Sequence, residues 1–557
     1  TSSAASGGQT HTWEVIVHFE LDRDFAEWSW LSAGGQGIQS QQKRSRRRED
    51  GPQHPRVGHP GFLDCTQAQP AAILELAGHY LLPATQEMVL RHYPPFFAYF
   101  EYLLSNIAVL VDPKIVELNN LEYQEWSCIA FQRVSVLVTE LVLGAALLKL
   151  TRRPAEPHNQ TTALAIAGSL YLHPGIIIVD HIHFQYNGFL LGILLWSIWA
   201  AREKKFCLSA LLFASLLNFK HIFIYLSPQE RNHDHQRSSS SSPELKSKKN
   251  IDQHPIIINN KKTLSFIKLI KLGLIVIGVC IISFGPFLIF NNDDDKDTQQ
   301  VVNLSGIIQI LKRLFPFKRG LNHAYWAGNI WSIYSTLDRI LLKYQLSRGL
   351  IVDQSVLNST SRGLIGDTHF AVLPITPNTC LGLTLGFMII IMSKLWQEPS
   401  YNRFLKSIIL SAFTSFIFGW HVHEKAALLF LVPLTTWLIA SVAGISGLFP
   451  LLINSTETPI KLLYTFIWIG TCSRLFKRNL HRPNVSNLTI FLTKIENLYI
   501  FGSVCLHLYF EIFHSFIISS RINQTNNSLE FLPLMITSFY TSIGIIWSFS
   551  RLLKSHH

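Results

Sequence analysis

The sequence predicts an all-α, polytopic membrane protein, and three observations lead there. Hydrophobic residues make up 48% of the chain and charged residues only 15%, with a mean hydropathy of +0.22. That balance fits a chain seated in lipid and excludes a set of soluble domains. Apolar runs recur from residue 131 onward, several of them near the roughly 20 residues that cross a bilayer as a helix. Short blocks rich in Lys and Arg separate those runs, as in cytoplasmic turns. The net charge of +12 is spread over these blocks, so it is no nucleic-acid signal and no nucleic-acid partner is expected. Seven cysteines, with no CxxC pair among them, read as small side chains in the membrane rather than metal ligands or disulfides.

Residues 1–85 form an atypical N-terminal segment. Its tract QQKRSRRR at 41–48 is basic and solvated, and is expected to be disordered. The chain begins at Thr1 rather than Met, so the reading leaves room for a further span before it. A transmembrane domain is expected over 86–553. In YPPFFAYFEYLLS at 93–105, Pro94 and Pro95 set an extended entry, and the aromatics suit a helix at the membrane interface.

The first span is 131–150, with Arg133 near its start placed to snorkel toward a headgroup. Residues 162–179 cross back, kinked at His173-Pro174-Gly175. The run 189–201 then ends at REKK, 202–205, whose charge marks a cytoplasmic turn. The polar stretch before that run must therefore face the lumen. Residues 206–219 return to Lys220-His221. A low-complexity insert at 229–262 is cytoplasmic by composition. Residues 264–290 cross again, interrupted at Gly285-Pro286, and exit into a long lumenal loop, 291–367, with sequons at Asn303 and Asn358. Further apolar stretches lie at 380–396, 407–419, 426–453, 460–473, 499–518 and 532–550. RLFKRNLHR at 474–482 is a cytoplasmic block, so the sequons at Asn484 and Asn487 would stay unused.

Between the runs 162–179 and 189–201 lies a knot of Asp180, His181, His183, Gln185, Tyr186 and Asn187. An interfacial turn explains part of it, but six hydrogen-bonding side chains in eight positions exceed what a turn requires. Ionisable groups at membrane depth are costly and mark functional sites. Two further polar blocks fall on the same face: RLFPFKRGLNHAYWAGNIWSIYS at 313–335 and GWHVHEKAALL at 419–429. A lumenal crevice between helices is their simplest common setting. Arg313, Lys318, Arg319 and Lys425 supply cations for a phosphate. The HxH pairs His181/His183 and His421/His423 are a weak metal signal, and histidines bonded to carboxylates fit equally. From the residues alone, a transporter using the His and Asp side chains as a relay stays open, although no internal repeat of the kind common in transporters is visible.

The segments DHIHFQYNG, RLFPFKRGLNHAYWA and FGWHVHEKA resemble the signatures of the endoplasmic-reticulum α-1,3-glucosyltransferases that use dolichyl-phosphate-glucose. The likeness runs from about Tyr93 to Ile545, and the HIH form is similar to the branch adding the second glucose. The resemblance implies a multi-span membrane glycosyltransferase fold (GT-C type) of about ten to twelve helices. It implies a dolichyl-phosphate-glucose donor, a monoglucosylated dolichyl-diphosphate oligosaccharide acceptor, membrane lipid around the spans, and an active site facing the reticulum lumen. Neither metal nor cofactor is expected, because phosphate is already a good leaving group.

The resemblance also assigns roles. His423 is expected at the donor phosphate. His181, His183, Gln185, Tyr186, Asn187, Arg313, Lys318, Arg319, His323 and Lys425 are expected to bind substrate. The family's catalytic base is an Asp in a first lumenal loop, of which Asp24-Phe25 is the only echo here. Asp180 and Glu424 are fallback carboxylates, to which the family gives supporting roles. The chain departs from the family at His92, where an Asp precedes Tyr-Pro-Pro, and in its missing first span. Those departures keep open an inactive relative that holds the donor site without the base.

Overall fold

The computed structural model describes residues 94–117, 123, 125–152, 157–226, 258–286, 308, 314, 320–321, 326–350, 352, 356, 370–372, 374–398, 400–431, 438–452, 457–479, 487–514 and 532–556. These residues are predominantly helical, and no β-strand is found among them. Four helices among them are long and apolar enough to cross a membrane by length and composition, and further apolar helices are shorter.

Helix α1 (Pro95–Val111) begins where Pro94 is extended and Pro95 takes the first helical position, which needs no N–H. It stops at Asp112, before Pro113. Helix α2 (Trp126–Thr151) is long, apolar and proline-free. Helix α3 (Pro157–Tyr171) breaks at the expected kink. There His173 Nδ1 accepts from Gly175 N at 3.0 Å and the chain restarts at Pro174. Beyond that restart the helix is not regular: Ile177–Ile182 winds as a π-turn, a form frequent at functional sites. Helix α4 (Asn187–Arg202) and helix α5 (Phe206–Phe219) form a hairpin around the basic turn.

Helix α2 packs along α4, α4 along α5, and α5 along α6 (Ile258–Phe284). The α2–α4 contact depends on Gly192. A Cβ there would lie 2.6 Å from the backbone nitrogen of Leu143, so the helices meet backbone to backbone. At the far end of this pair, Lys149 and Lys205 lie 5.3 and 4.9 Å from the Trp199 ring, and Arg202 donates to Leu150 O. The cations thus gather at the end opposite the polar knot.

The second half contains α7 (Ile330–Ser347), α8 (Pro377–Gln397), α9 (Tyr401–Phe418), α10 (Leu438–Leu448), α11 (Thr465–Asn479), α12 (Asn487–Leu508) and α13 (Leu532–His556). Side-chain caps open three of them: Asn329 on α7, Thr376 on α8 and Ser400 on α9. One core joins both halves, through buried Ile178, Leu194, Phe404, Phe413 and Phe430, with the Phe413 and Phe430 rings stacked 4.1 Å apart. Leu381, Leu385 and Ile389 of α8, and Leu137, Val138 and Leu141 of α2, stay exposed, as lipid-facing residues would.

The apolar stretch 426–453 holds a short helix at Leu428–Leu431 and α10 at Leu438–Leu448, after a tight turn at Glu424–Ala427. Other expectations change in detail. The region 291–367, read as a long loop, contains α7. This helix packs on α13 through Ser332, whose Oγ lies 2.9 Å from Ser542 Oγ. Its Asp338 accepts from the backbone of Ala371 and Val372 at 2.9 and 3.0 Å. Of the insert expected at 229–262, residues 229–257 lie outside the described residues, as do the sequons at Asn303 and Asn358, while 258–262 are not insert but the first residues of α6.

Candidate functional site

The π-turn delivers Asp180 to the N-terminus of α4. Its side chain is buried, and its two oxygens accept from Gly188 N at 2.5 Å and Asn187 Nδ2 at 2.7 Å. A carboxylate is favoured there by the unpaired N–H groups of a helix start. Asn187 passes the link on: its Oδ1 accepts from Lys220 Nζ at 2.7 Å, while its Nδ2 also reaches Gln185 Oε1 at 3.2 Å. Phe184, with φ of 51°, supplies the left-handed residue that reverses the chain between π-turn and helix. Tyr186 is held by its hydroxyl, 2.9 Å from Ser135 Oγ, and by the edge-on ring of Phe100 at 5.0 Å. Arg133 lies beside the knot, 5.9 Å from the Phe184 ring.

His181 points the other way, onto α2. Its Nε2 is 2.6 Å from Glu140 Oε2. Glu140 is 3% exposed, whereas the His181 side chain keeps 22% exposure. Gly188 makes room for this packing. A Cβ there would meet Glu140 Cγ at 2.9 Å and Asp180 Oδ2 at 3.4 Å.

The WHVHEK block reaches the same end of the molecule. His421 takes a left-handed backbone, φ 51°, and is tied to the end of the FPFKRG segment. Its Nδ1–H donates to Gly320 O at 2.7 Å, and its backbone N–H to Leu321 O at 3.2 Å. Trp331 adds a third tie, Nε1–H to Gly419 O at 3.0 Å. The His423 ring stands perpendicular to that of His421, centroids 5.6 Å apart. Glu424 is buried next to Lys425, and Lys425 feels both Glu424 and Asp180.

Two lysines from distant segments therefore share one carboxylate neighbourhood. Burial lowers the Lys220 ammonium to about 8; the negative Asp180 opposes the shift and the positive Lys425 adds to it. Burial likewise lowers Lys425, against Glu424 and Asp180. Such ammonium groups lose their protons more readily than surface lysines, and an anion brought between them would restore their charge.

Of the residues singled out from sequence, Asp180, Gln185 and Asn187 meet in one hydrogen-bonded cluster, with Lys425 in electrostatic reach of Asp180, while His181 bonds Glu140 instead. Tyr186 packs beside them. His183 comes directly after the π-turn, and His423 stands beside His421. Asp24, Arg313, Lys318, Arg319 and His323 lie outside the described residues. Among the described residues no group of three or more His, Cys, Asp and Glu is placed to hold a metal. Sequence reasoning overlooked Glu140 and left Lys220 in a turn. The signals were there: a lone acid inside the run 131–150, and a cation ending a run on the face opposite the basic turns.

Residues 84–552 match the profile described as the ALG6, ALG8 glycosyltransferase family. A Gibberella zeae protein named dolichyl pyrophosphate Glc1Man9GlcNAc2 alpha-1,3-glucosyltransferase is 41% identical over 469 residues, covering 82% of this chain and 86% of its own length. Proteins of the same name from Schizosaccharomyces pombe and Candida albicans are each 37% identical. The first alignment covers 83% of this chain and 87% of the relative, the second 82% and 81%.

Proposed function

Because the chain belongs to the ALG6, ALG8 glycosyltransferase family, we propose that it transfers glucose from dolichyl-phosphate-glucose to the monoglucosylated high-mannose dolichyl-diphosphate oligosaccharide. The new bond is α-1,3 and adds the second glucose. The protein is a multi-pass enzyme of the endoplasmic-reticulum membrane, with its polar end in the lumen. The observation that carries this reading is the meeting of the DHIHFQYN and WHVHEK blocks and the Lys220 turn around Asp180, with the end of FPFKRG tied to His421.

The chemistry suits that arrangement. The donor's glucose is β-linked to phosphate and the product is α-linked, so one in-line displacement suffices. The acceptor oxygen attacks C1 as the C1–O bond to phosphate breaks, and the electron pair leaves on the dolichyl phosphate. Lys220, Lys425 and His423 meet that phosphate as its charge grows, the part of the reaction in which preorganised cations lower the barrier. Asp180 fixes Asn187 and the start of α4, and Asn187 in turn holds Lys220. Glu424 sets the charge beside Lys425. His183, Gln185 and Tyr186 line the sugar side, and Arg313, Lys318, Arg319 and His323 complete the set of substrate contacts. The base that takes the acceptor's proton is the first-loop Asp, with Asp24 as its candidate.

The test is the lipid-linked oligosaccharide profile of cells lacking this chain. Accumulation of the monoglucosylated species, relieved by re-expression, is the expected result. An unchanged profile would remove the assignment.

A further inference from the structure

Glu140 sits in the middle of α2, an apolar helix with no structural need for an acid. Its one strong partner is His181, at 2.6 Å, and Glu140 itself is packed against the N-terminus of α4 at Gly188. A carboxylate only accepts hydrogen bonds. A neutral His181 must therefore carry its proton on Nε2 and keep its lone pair on Nδ1. Nδ1 forms no hydrogen bond to any described residue, and the side chain is the open member of the pair, 22% exposed against 4% for the Glu140 side chain.

We propose that Glu140 is a positioning residue for glucosyl transfer. By accepting Nε2–H it holds His181 in the tautomer whose Nδ1, on the exposed side of the ring, accepts a hydrogen bond from a sugar hydroxyl. The arrangement has the logic of a carboxylate that orients a histidine in a triad, where exchanging the acid for its amide leaves the geometry but permits the wrong tautomer. The assignment rests on the glucosyltransferase reading and deepens it at a residue that the motifs do not include.

The experiment uses the full-length chain in lipid, with dolichyl-phosphate-glucose and the monoglucosylated acceptor. Glu140→Gln is isosteric and should elute and melt as the wild type does. Its kcat is expected to fall by at least about tenfold, with the donor KM within about twofold. His181→Gln separates positioning from architecture: its amide still donates to Glu140, but Nδ1 is gone. If the pair only braced the helices, His181→Gln would be active; on the present assignment it loses as much kcat as Glu140→Gln. The double variant should be no worse than His181→Gln alone, because the two residues act as one unit. Wild-type rates in Glu140→Gln or in His181→Gln would overturn the assignment. A wild type that moves no glucose at all would instead sink the function, and this role with it.

Discussion

Lys220 Nζ lies 2.7 Å from Asn187 Oδ1, so a residue outside the DHIHFQYNG block holds one inside it. Asn187 in turn bonds Asp180, and Asp180 bonds the backbone of Gly188. The α4–α5 hairpin closes this circuit: it carries Asn187 at one foot and presents Lys220 at the other.

The lowered ammonium of Lys220 predicts a pH dependence. Lysine ordinarily loses its proton at 10.5, and burial brings Lys220 to about 8. Donor affinity should therefore decline as the pH rises through about 8, and Lys220→Met should lack that limb. Stability runs the opposite way. Between about 8 and 10.5 the unfolded chain holds the proton that the folded chain has lost, so stability from this residue rises with pH over that window. Donor titrations and thermal melts at pH 7, 8 and 9 check both signs.

Gly192 predicts a packing failure. A methyl at this position would be driven into the backbone of Leu143, which cannot move aside as a side chain would. Gly192→Ala should cost about 1–3 kcal/mol, the usual range for overpacking, and lower the melting temperature in detergent. Gly386, in α8, has nothing within 4 Å of an added Cβ, so Gly386→Ala serves as the tolerated control.

His421 predicts a distinction between side chains. Its φ of 51° suits Asn far better than a β-branched residue. His421→Val should lose about 1–3 kcal/mol through backbone strain, in addition to its bond to Gly320 O. His421→Asn keeps the backbone and a short donor. The comparison is read from thermal melts and from protease cleavage near residue 420; equal behaviour of the two variants would contradict it.

His423→Ala should lower transfer by about a hundredfold or more, the scale of losing one preorganised donor to developing charge, while membrane insertion stays normal. The readout is diglucosylated product formed in membranes that contain equal amounts of each protein. Normal product from the variant would remove His423 from the phosphate site.

Much of the bundle could be read from residues, because charge punctuates it. The run 206–219 is bounded by REKK and by Lys220-His221, and α5 occupies the same residues. Where punctuation is absent the reading stays coarse. Nothing charged interrupts 426–453, so composition does not mark where the helix Leu428–Leu431 or α10 begins. Helix α7 escaped for the opposite reason: Asp338, Arg339 and Lys343 hide its apolar stripe in a region read as loop. The site divided in the same way. Polar residues crowded into one block were visible, while Glu140 and Lys220 join them only through packing between helices that sequence order does not disclose.

The π-turn at Ile177–Ile182 has a consequence for what lengths of chain the fold tolerates. A π-turn accommodates one more residue than the α-helical path between the same endpoints. Deleting a single isoleucine there would let the segment rewind as ordinary helix between the same endpoints, leaving the flanking chain in place but re-aiming the side chains inside the turn. Asp180 would swing away from Gly188, and His181 from Glu140, with every side chain still present. At this point the molecule depends on arithmetic as much as on chemistry: a surplus residue acts as a spacer that aims two bonds at once.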